Sequence, residues 1–315
     1  MITTGTLLIV GAGASFPYGF PTGKGLRDEI IGYRGKEEGL NGNTGQFLFR
    51  EPELSAFCDG FRESLIDSID KYLSFHPEFE KIGKLLISYV IKQKEIDTFS
   101  EFGKREGRNE IVKRLTDDEW LRFLFNRMVE TINDFNIAES INNNTIKIIT
   151  FNYDRIIEYS FVRAYQESFS QNKAVKRFAN ELPNYQSLFP LINIEHVYGS
   201  LGDFQKNKFN HKKHDLIENY YEEIKLIGQR NERISYYREL ISNTKRVFFL
   251  GYGFDENNNQ LLDLRGTLRG KEVYATCFGL HDEEIDRIRG KLGRIANDGN
   301  YLINCTCLDL LRKYL

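Results

Sequence analysis

Proline is scarce, at 6 residues in 315, and that excludes Pro-rich linkers and collagen-like structure. Cysteine is equally thin. Cys58, Cys277, Cys305 and Cys307 contain no C-x-x-C pair, so no zinc ribbon and no metal centre is expected. No apolar run approaches the ~20 residues of a membrane span. The opening stretch has no Lys or Arg before Lys24, unlike a secretion signal. These absences predict a soluble protein of the reducing cytoplasm, away from membranes. Charge of one sign is also missing. Lys plus Arg is 43 and Asp plus Glu is 45, a formal net charge of -2. No global basic field exists, so nucleic acid is not expected as a direct partner. No internal period marks a repeat protein.

What is present is a globular composition, 41% hydrophobic and 28% charged, which excludes wholesale disorder. Domains of ~100–200 residues would make this chain two domains, or one large domain with an insertion. The 26 glycines are unevenly placed, and their positions carry the argument. Thr6 to Val10 is apolar at consecutive positions, as a parallel strand covered on both faces should be. Gly11-Ala12-Gly13-Ala14-Ser15 follows directly, and a helix is predicted from Thr22 to about Ile31. Strand, glycine turn and helix form the opening of a nucleotide-binding α/β unit. Residues 34–46 read as a Gly- and Asn-rich loop. From 47 to 140 the period is helical. Ile82 to Ile91 carries one apolar stripe, and Trp120, Leu121, Leu124, Met128, Ile132 and Phe135 another, with Thr116 as the predicted N-cap.

The α/β rhythm then returns. Strands are predicted at Thr145–Phe151, Leu191–Tyr198, Val247–Leu250, Glu272–Cys277 and Tyr301–Cys305. Helices are predicted at Arg155–Gln166, Leu216–Ser242 and Glu283–Leu292. The predicted fold class is α/β, a Rossmann-like doubly wound, mostly parallel sheet with a helical insertion after the first strand-helix unit. The predicted boundaries are 1–33 and 141–315 for the nucleotide-binding domain and 34–140 for the insertion.

Three strands end in Gly-bearing turns, and a fourth ends in Asn152-Tyr153-Asp154. Ligands of such sheets bind outside the carboxyl ends of the strands, so these four segments should converge. Gly11 and Gly13 let backbone approach a pyrophosphate closely, or else form only a tight turn. Phe16 stands where a full dinucleotide fingerprint has glycine, which disfavours an ordinary NAD dehydrogenase. Asn152 can position a water or a hydroxyl through its amide, or be a turn residue. Asp154 can orient a polar partner or cap the helix from Arg155. His196 and Tyr198, two apart on a strand, are expected to look to one face. The alternative for His196 is a partly buried polar residue. Asp255 and Asn257 to Asn259 read as a loop and helix cap near the adenosine side of a bound nucleotide, or as simple capping. The loop with Lys206, Lys208, His211, Lys212, Lys213 and His214 is mildly basic, and its H-x-x-H lacks other metal ligands.

Taken in order, Gly11-Ala12-Gly13-Ala14-Ser15, Gly19-Phe20-Pro21, Thr150-Phe151-Asn152-Tyr153-Asp154 and Tyr198-Gly199-Ser200 resemble the motifs of the sirtuin family. The T-x-N-Y-D form and the late Gly251-Tyr252-Gly253-Phe254 resemble the sirtuin-like domains of bacterial defence proteins. The resemblance covers about 1–33 and 141–315. It implies NAD as substrate, held by Gly11, Ala12, Gly13, Ser15, Pro21, Thr22, Thr150, Gly199, Ser200, Gly251, Gly253 and Phe254. It implies a catalytic set of Asn152, Asp154, His196 and Tyr198. The missing cysteine pairs, and Thr22-Gly23-Lys24 after Pro21, point away from protein deacylation and toward the NAD-hydrolysing branch. Tyr198 stands where the family has its catalytic His. It is then a ribose or ring contact, or a weak acid/base. The activity implied is release of nicotinamide and ADP-ribose by an anti-phage abortive-infection effector, the alternative being a module that binds NAD or ADP-ribose without turnover. Silence at rest implies a homo-oligomer or an operon-encoded partner, an ATPase or an Argonaute-like protein.

Overall fold

Six parallel strands form one sheet in the order β3-β2-β1-β4-β5-β6 in the computed structural model of the chain. The structure describes residues 1–44, 47–102, 119–130, 143–169, 193–202, 220–227, 229, 231–292 and 300–315. The strands are β1 (Thr6–Val10), β2 (Ile146–Thr150), β3 (Asn193–His196), β4 (Arg246–Leu250), β5 (Glu272–Thr276) and β6 (Asn300–Ile303). β1 lies at the centre, with Val10 in register with Thr150 on one side and Leu250 on the other. The winding direction reverses between β1 and β4, so that is the topological switch point.

Every residue of β1 is buried, and its alternation separates two cores. Leu7 and Ile9 join one apolar cluster, and Leu8 and Val10 join the other. Each such side chain, fully buried, stabilises the fold by about 1.5–3 kcal/mol. The first cluster takes helices α2 (Gly23–Ile31), α4 (Glu51–Glu63), α5 (Ile69–Phe75) and most of α6 (Glu80–Phe102). It also takes α9 (Ile234–Ser242), α11 (Leu264–Thr267) and α12 (Asp282–Leu292). The second takes α7 (Trp120–Val129), α8 (Ile156–Phe169) and α13 (Cys307–Tyr314). The chain between β1 and β2 therefore supplies helices to both layers. The buried Trp120 indole donates to the Ala14 carbonyl at 2.8 Å, and the Tyr18 hydroxyl accepts from the Leu121 amide at 3.0 Å. These bonds fasten α7 to the short helix α1 (Ala12–Ser15) and the turn after it.

α2 begins where expected, with Thr22 Oγ1 accepting from the Gly25 amide. Two segments differ from the sequence expectation. Residues 34–46 were expected as loop, but α3 (Glu37–Thr44) forms there because Leu40 and Thr44 are buried, and core packing outweighs poor helix propensity. The helix expected over Leu216–Ser242 is not continuous. A single turn at Tyr221–Glu223 leads to extended chain, and α9 starts only at Ile234. Here the Lys225 amide donates to the Tyr198 carbonyl at 2.9 Å, and Asn231 Nδ2 to the Val197 carbonyl at 2.9 Å. Bonds to the β3 turn replace helical ones. Thr116, Ile132, Phe135 and the Lys206–His214 loop lie outside the described residues. Among those described, no helix is long and apolar enough to cross a membrane.

Candidate functional site

At the switch point two glycine turns pack backbone against backbone. The Gly11 amide donates to the Leu250 carbonyl at 2.9 Å, and the Gly13 amide to the Gly251 carbonyl at 3.0 Å. A Cβ on Gly11 would lie 2.6 Å from the Gly251 oxygen, and one on Gly13 2.9 Å from the Gly251 Cα. Gly251 has φ +55°, and its Cβ would meet the Ala14 nitrogen at 2.0 Å. All three glycines are thus required by turn-to-turn contact, and the Gly13 amide is already spent. Gly253 differs, because a Cβ there would meet nothing within 4 Å. Phe254 is held in the left-handed region at φ 52°, which is costly for a residue with a side chain. Its buried ring packs on Phe249 and Tyr252.

β2 delivers Asn152 beside this junction. Thr150 Oγ1 accepts from the Asn152 amide at 3.1 Å and shapes the turn. The side-chain nitrogen of Asn152 donates to the Gly11 carbonyl at 3.1 Å and to Ser15 Oγ at 2.9 Å. Both its protons are committed, so its Oδ1 points the remaining acceptor, with no donor among the described residues. Ser15 passes the chain of bonds on, donating to Asp154 Oδ1 at 3.1 Å. That same oxygen accepts from the Ile156 amide at 3.3 Å, so Asp154 both caps α8 and joins the network. Burial pushes the Asp154 carboxyl up to about 7, although Ser15, the Ile156 amide and His196 all pull it down.

His196 ends β3 and lies on the α8 side. Its Nδ1 faces the Asn152 carbonyl oxygen at 2.8 Å and its Nε2 faces Glu158 Oε1 at 2.6 Å. A carbonyl and a carboxylate are both acceptors, so this setting favours a proton on each ring nitrogen. Burial alone would lower its pKa, but the Glu158 carboxylate and the Asn152 carbonyl outweigh that and raise it. Glu158 Oε2 is buried without a partner among the described residues. Behind the turn, Arg155 grips Glu95 of α6 through Nη2 at 2.6 Å and Nε at 3.0 Å, both residues fully buried.

Tyr198 does not share the His196 face. β3 ends at His196, the chain turns, and the Tyr198 ring enters the other core cluster against Phe151, 5.7 Å between centroids. Its hydroxyl donates to Asn258 Oδ1 in α10 (Glu256–Leu261), whose N-cap is Asp255. Burial pushes the Tyr198 phenol well above its ordinary value, with Asp70 and Asp255 adding to the shift. Gly199 has φ +72°, and a Cβ there would meet the Glu223 oxygen at 2.0 Å, so it lets the Tyr221–Glu223 turn pass. Ser200 Oγ donates to the Gly202 carbonyl at 3.2 Å within its own turn.

The structure thus joins Gly11, Ser15, Thr150, Asn152, Asp154 and His196 in one hydrogen-bonded group, with the bonded pair Gly13 and Gly251 packed against Gly11. Tyr198, Gly253 and Phe254 lie with Tyr252 and Asn258 across the same edge of the sheet. Ala12, Pro21 and Thr22 remain partly exposed along the chain from α1 to the start of α2. Sequence reasoning passed over Glu158, Arg155, Glu95, Tyr153 and Asp70. Tyr153 and Arg155 adjoin named motif residues, and Glu158 follows Asp154 by one helical turn; Asn258 lies in the segment expected near the adenosine side, and its bond to Tyr198 is what the structure adds. Asp70 and Glu95 carried no sequence signal. Among the described residues, no three His, Cys, Asp or Glu side chains gather as a metal centre would require.

Residues 146–292 match the family model of the SIR2-like domain. The matched span runs from β2 to the end of α12 and so contains the Asn152, His196, Tyr198 and Gly251 turns. The match supports the sirtuin-like family and an NAD-related function for this chain. No curated protein matches the chain.

Proposed function

We propose that this protein hydrolyses NAD, cleaving the bond between nicotinamide and ribose to give nicotinamide and ADP-ribose. The observation that carries the reading is Asn152. Its amide nitrogen is pinned by Gly11 and Ser15 at the switch point of a 3-2-1-4-5-6 sheet, which leaves its oxygen as an oriented acceptor. In this chemistry the bond electrons leave with nicotinamide and the ribose becomes oxocarbenium-like. A water held by Asn152 Oδ1 then faces the anomeric carbon, and orientation supplies much of the rate. Open space at Gly253 admits a ligand close to backbone. Asp154, neutral or charged near pH 7, holds the Ser15 hydroxyl on Asn152. His196 acts as a positioning residue, since both ring nitrogens are engaged by Asn152 and Glu158. Tyr198 is a contact for ring or ribose, its phenol being too weak an acid to titrate near neutrality.

By the same reading the protein is an abortive-infection effector against phage, in which loss of NAD halts the cell. Its resting silence would come from self-assembly or an operon-encoded partner. One observation favours a second reading, a module that binds NAD or ADP-ribose without turnover: neither His196 nor Tyr198 is free for acid–base work. Purified protein, with and without the products of neighbouring genes, is incubated with NAD and nicotinamide release is followed. Turnover that Asn152→Ala abolishes is the expected result. Saturable NAD binding with no release under any condition establishes the second reading instead.

A further inference from the structure

We propose that Asp70 is the general base of this site, taking the proton of the water that replaces nicotinamide; this rests on the NAD-cleaving reading. Asp70 lies in α5, outside every motif and outside the span matched by the SIR2-like model. Tyr153 connects it to the site. Its neighbours Asn152 and Asp154 bond to Ser15, whereas Tyr153 belongs to the cluster on the opposite sheet face and donates its hydroxyl to Asp70 Oδ1 at 2.6 Å. One turn therefore holds the oriented amide with one residue and the carboxylate with the next.

Tyr153 holds Oδ1, and the backbone of Asp70 also bonds its own carboxyl, so the carboxyl is fixed in orientation. Asp70 is half-buried, whereas Asp154 is buried, and in this proposal the attacking water reaches its carboxyl from the site. The titratable groups facing it are Tyr153, Tyr198 from the β3 turn and Asp255 from the cap of α10. Among the described residues no cation pairs with it. Arg27 of α2 spends its guanidinium on the Ile66, Phe61 and Arg62 carbonyls and on Asp28, and Lys84 of α6 pairs with Glu80. Burial therefore prevails and pushes the Asp70 carboxyl up to about 6, with the Tyr153 bond pulling the other way. The fold alone does not call for this charge, because an Asn oxygen would accept from Tyr153 equally well. A base in this range is suited to proton transfer at neutral pH.

The step balances. The water oxygen bonds to the anomeric carbon, the carbon–nitrogen bond breaks, and its electron pair neutralises the pyridinium. The water proton passes to Asp70 and is later released to solvent.

The test uses the full chain and compares wild type, Asp70→Asn and Tyr153→Phe for nicotinamide release from pH 5 to 8 and for NAD binding by calorimetry. Wild-type turnover should climb about tenfold per pH unit below 6 and level above it, as a single base requires. Asp70→Asn should lose about 100-fold or more in turnover and lose that step, while binding NAD as wild type does. Tyr153→Phe removes the bond that lowers the Asp70 pKa, so its step should move to higher pH. This readout decides the matter should Asp70→Asn fail to fold. An active wild type whose turnover and pH step survive Asp70→Asn, or do not move in Tyr153→Phe, overturns the base alone. A wild type that binds NAD and releases no nicotinamide at any pH overturns the cleavage reading and the base with it.

Discussion

Asp154→Asn should stabilise the protein, and by an amount that grows with pH. Asp154 Oδ1 accepts from Ser15 and from the Ile156 amide, and an Asn oxygen can do both. What the substitution removes is the cost of ionising a buried carboxyl. In the folded protein that carboxyl titrates at about 7, against an ordinary value of 3.8. Well below pH 4 it is protonated in both folded and unfolded chains and makes no difference. Between about pH 4 and 7 the unfolded chain releases the proton and the folded chain keeps it, so wild-type stability falls as pH rises. Each unit of displacement is worth about 1.4 kcal/mol, so the full penalty above pH 7 is about 4 kcal/mol. Urea unfolding of both proteins at unit intervals from pH 4 to 8 measures it. Other titrating groups are common to the two proteins and cancel in the difference. The expected difference is near zero at pH 4 and about 4 kcal/mol in favour of the variant at pH 8. A difference that stays flat with pH refutes the reasoning, because Asp154 would then be ionised as readily in the fold as out of it.

Three further outcomes follow from the geometry. Gly251→Ala places a Cβ 2.0 Å from the Ala14 nitrogen at a φ of +55° and should cost about 3 kcal/mol in urea unfolding, from left-handed strain and the lost Gly13 bond. Gly253→Ala should cost under about 1 kcal/mol, its Cβ meeting nothing, and a larger loss there would contradict the open space. His196→Phe strands the buried Glu158 carboxylate and should destabilise by roughly 3–5 kcal/mol, with Glu158→Gln added to it recovering part. Equal stability of the single and double variants would show that the pair is not coupled.

Most strand positions and the glycine turns were legible because they rest on local signals: unbroken apolar runs, turn residues and capping side chains. Thr22 illustrates this, since an N-cap needs only its own next three residues. The orientation of His196 and Tyr198 was not legible. Alternation along a strand holds only while the strand lasts, and β3 stops at His196, so Tyr198 enters the other layer. Gly11 and Gly13 were found by their spacing, yet the reason for them was hidden. It lies in Gly251, some 240 residues on, whose backbone leaves no room for a Cβ. Asp70 and Glu95 were invisible because a single acid in a helical segment reads as solvent-facing until its partner is known.

The sequence by itself determined that this is a parallel α/β protein, with an Asn-bearing turn and glycine turns at strand ends, because hydrophobic period and turn chemistry act over a few residues. Only the tertiary structure decided what those turns do. Strand order set Asn152 against Gly11 and Ser15, spent the Gly13 amide on Gly251, locked His196 between Asn152 and Glu158, and brought Asp70 to Tyr153. Each of these is a contact between residues distant in the chain. Their chemistry therefore depends on which elements pair, and no local pattern specifies that.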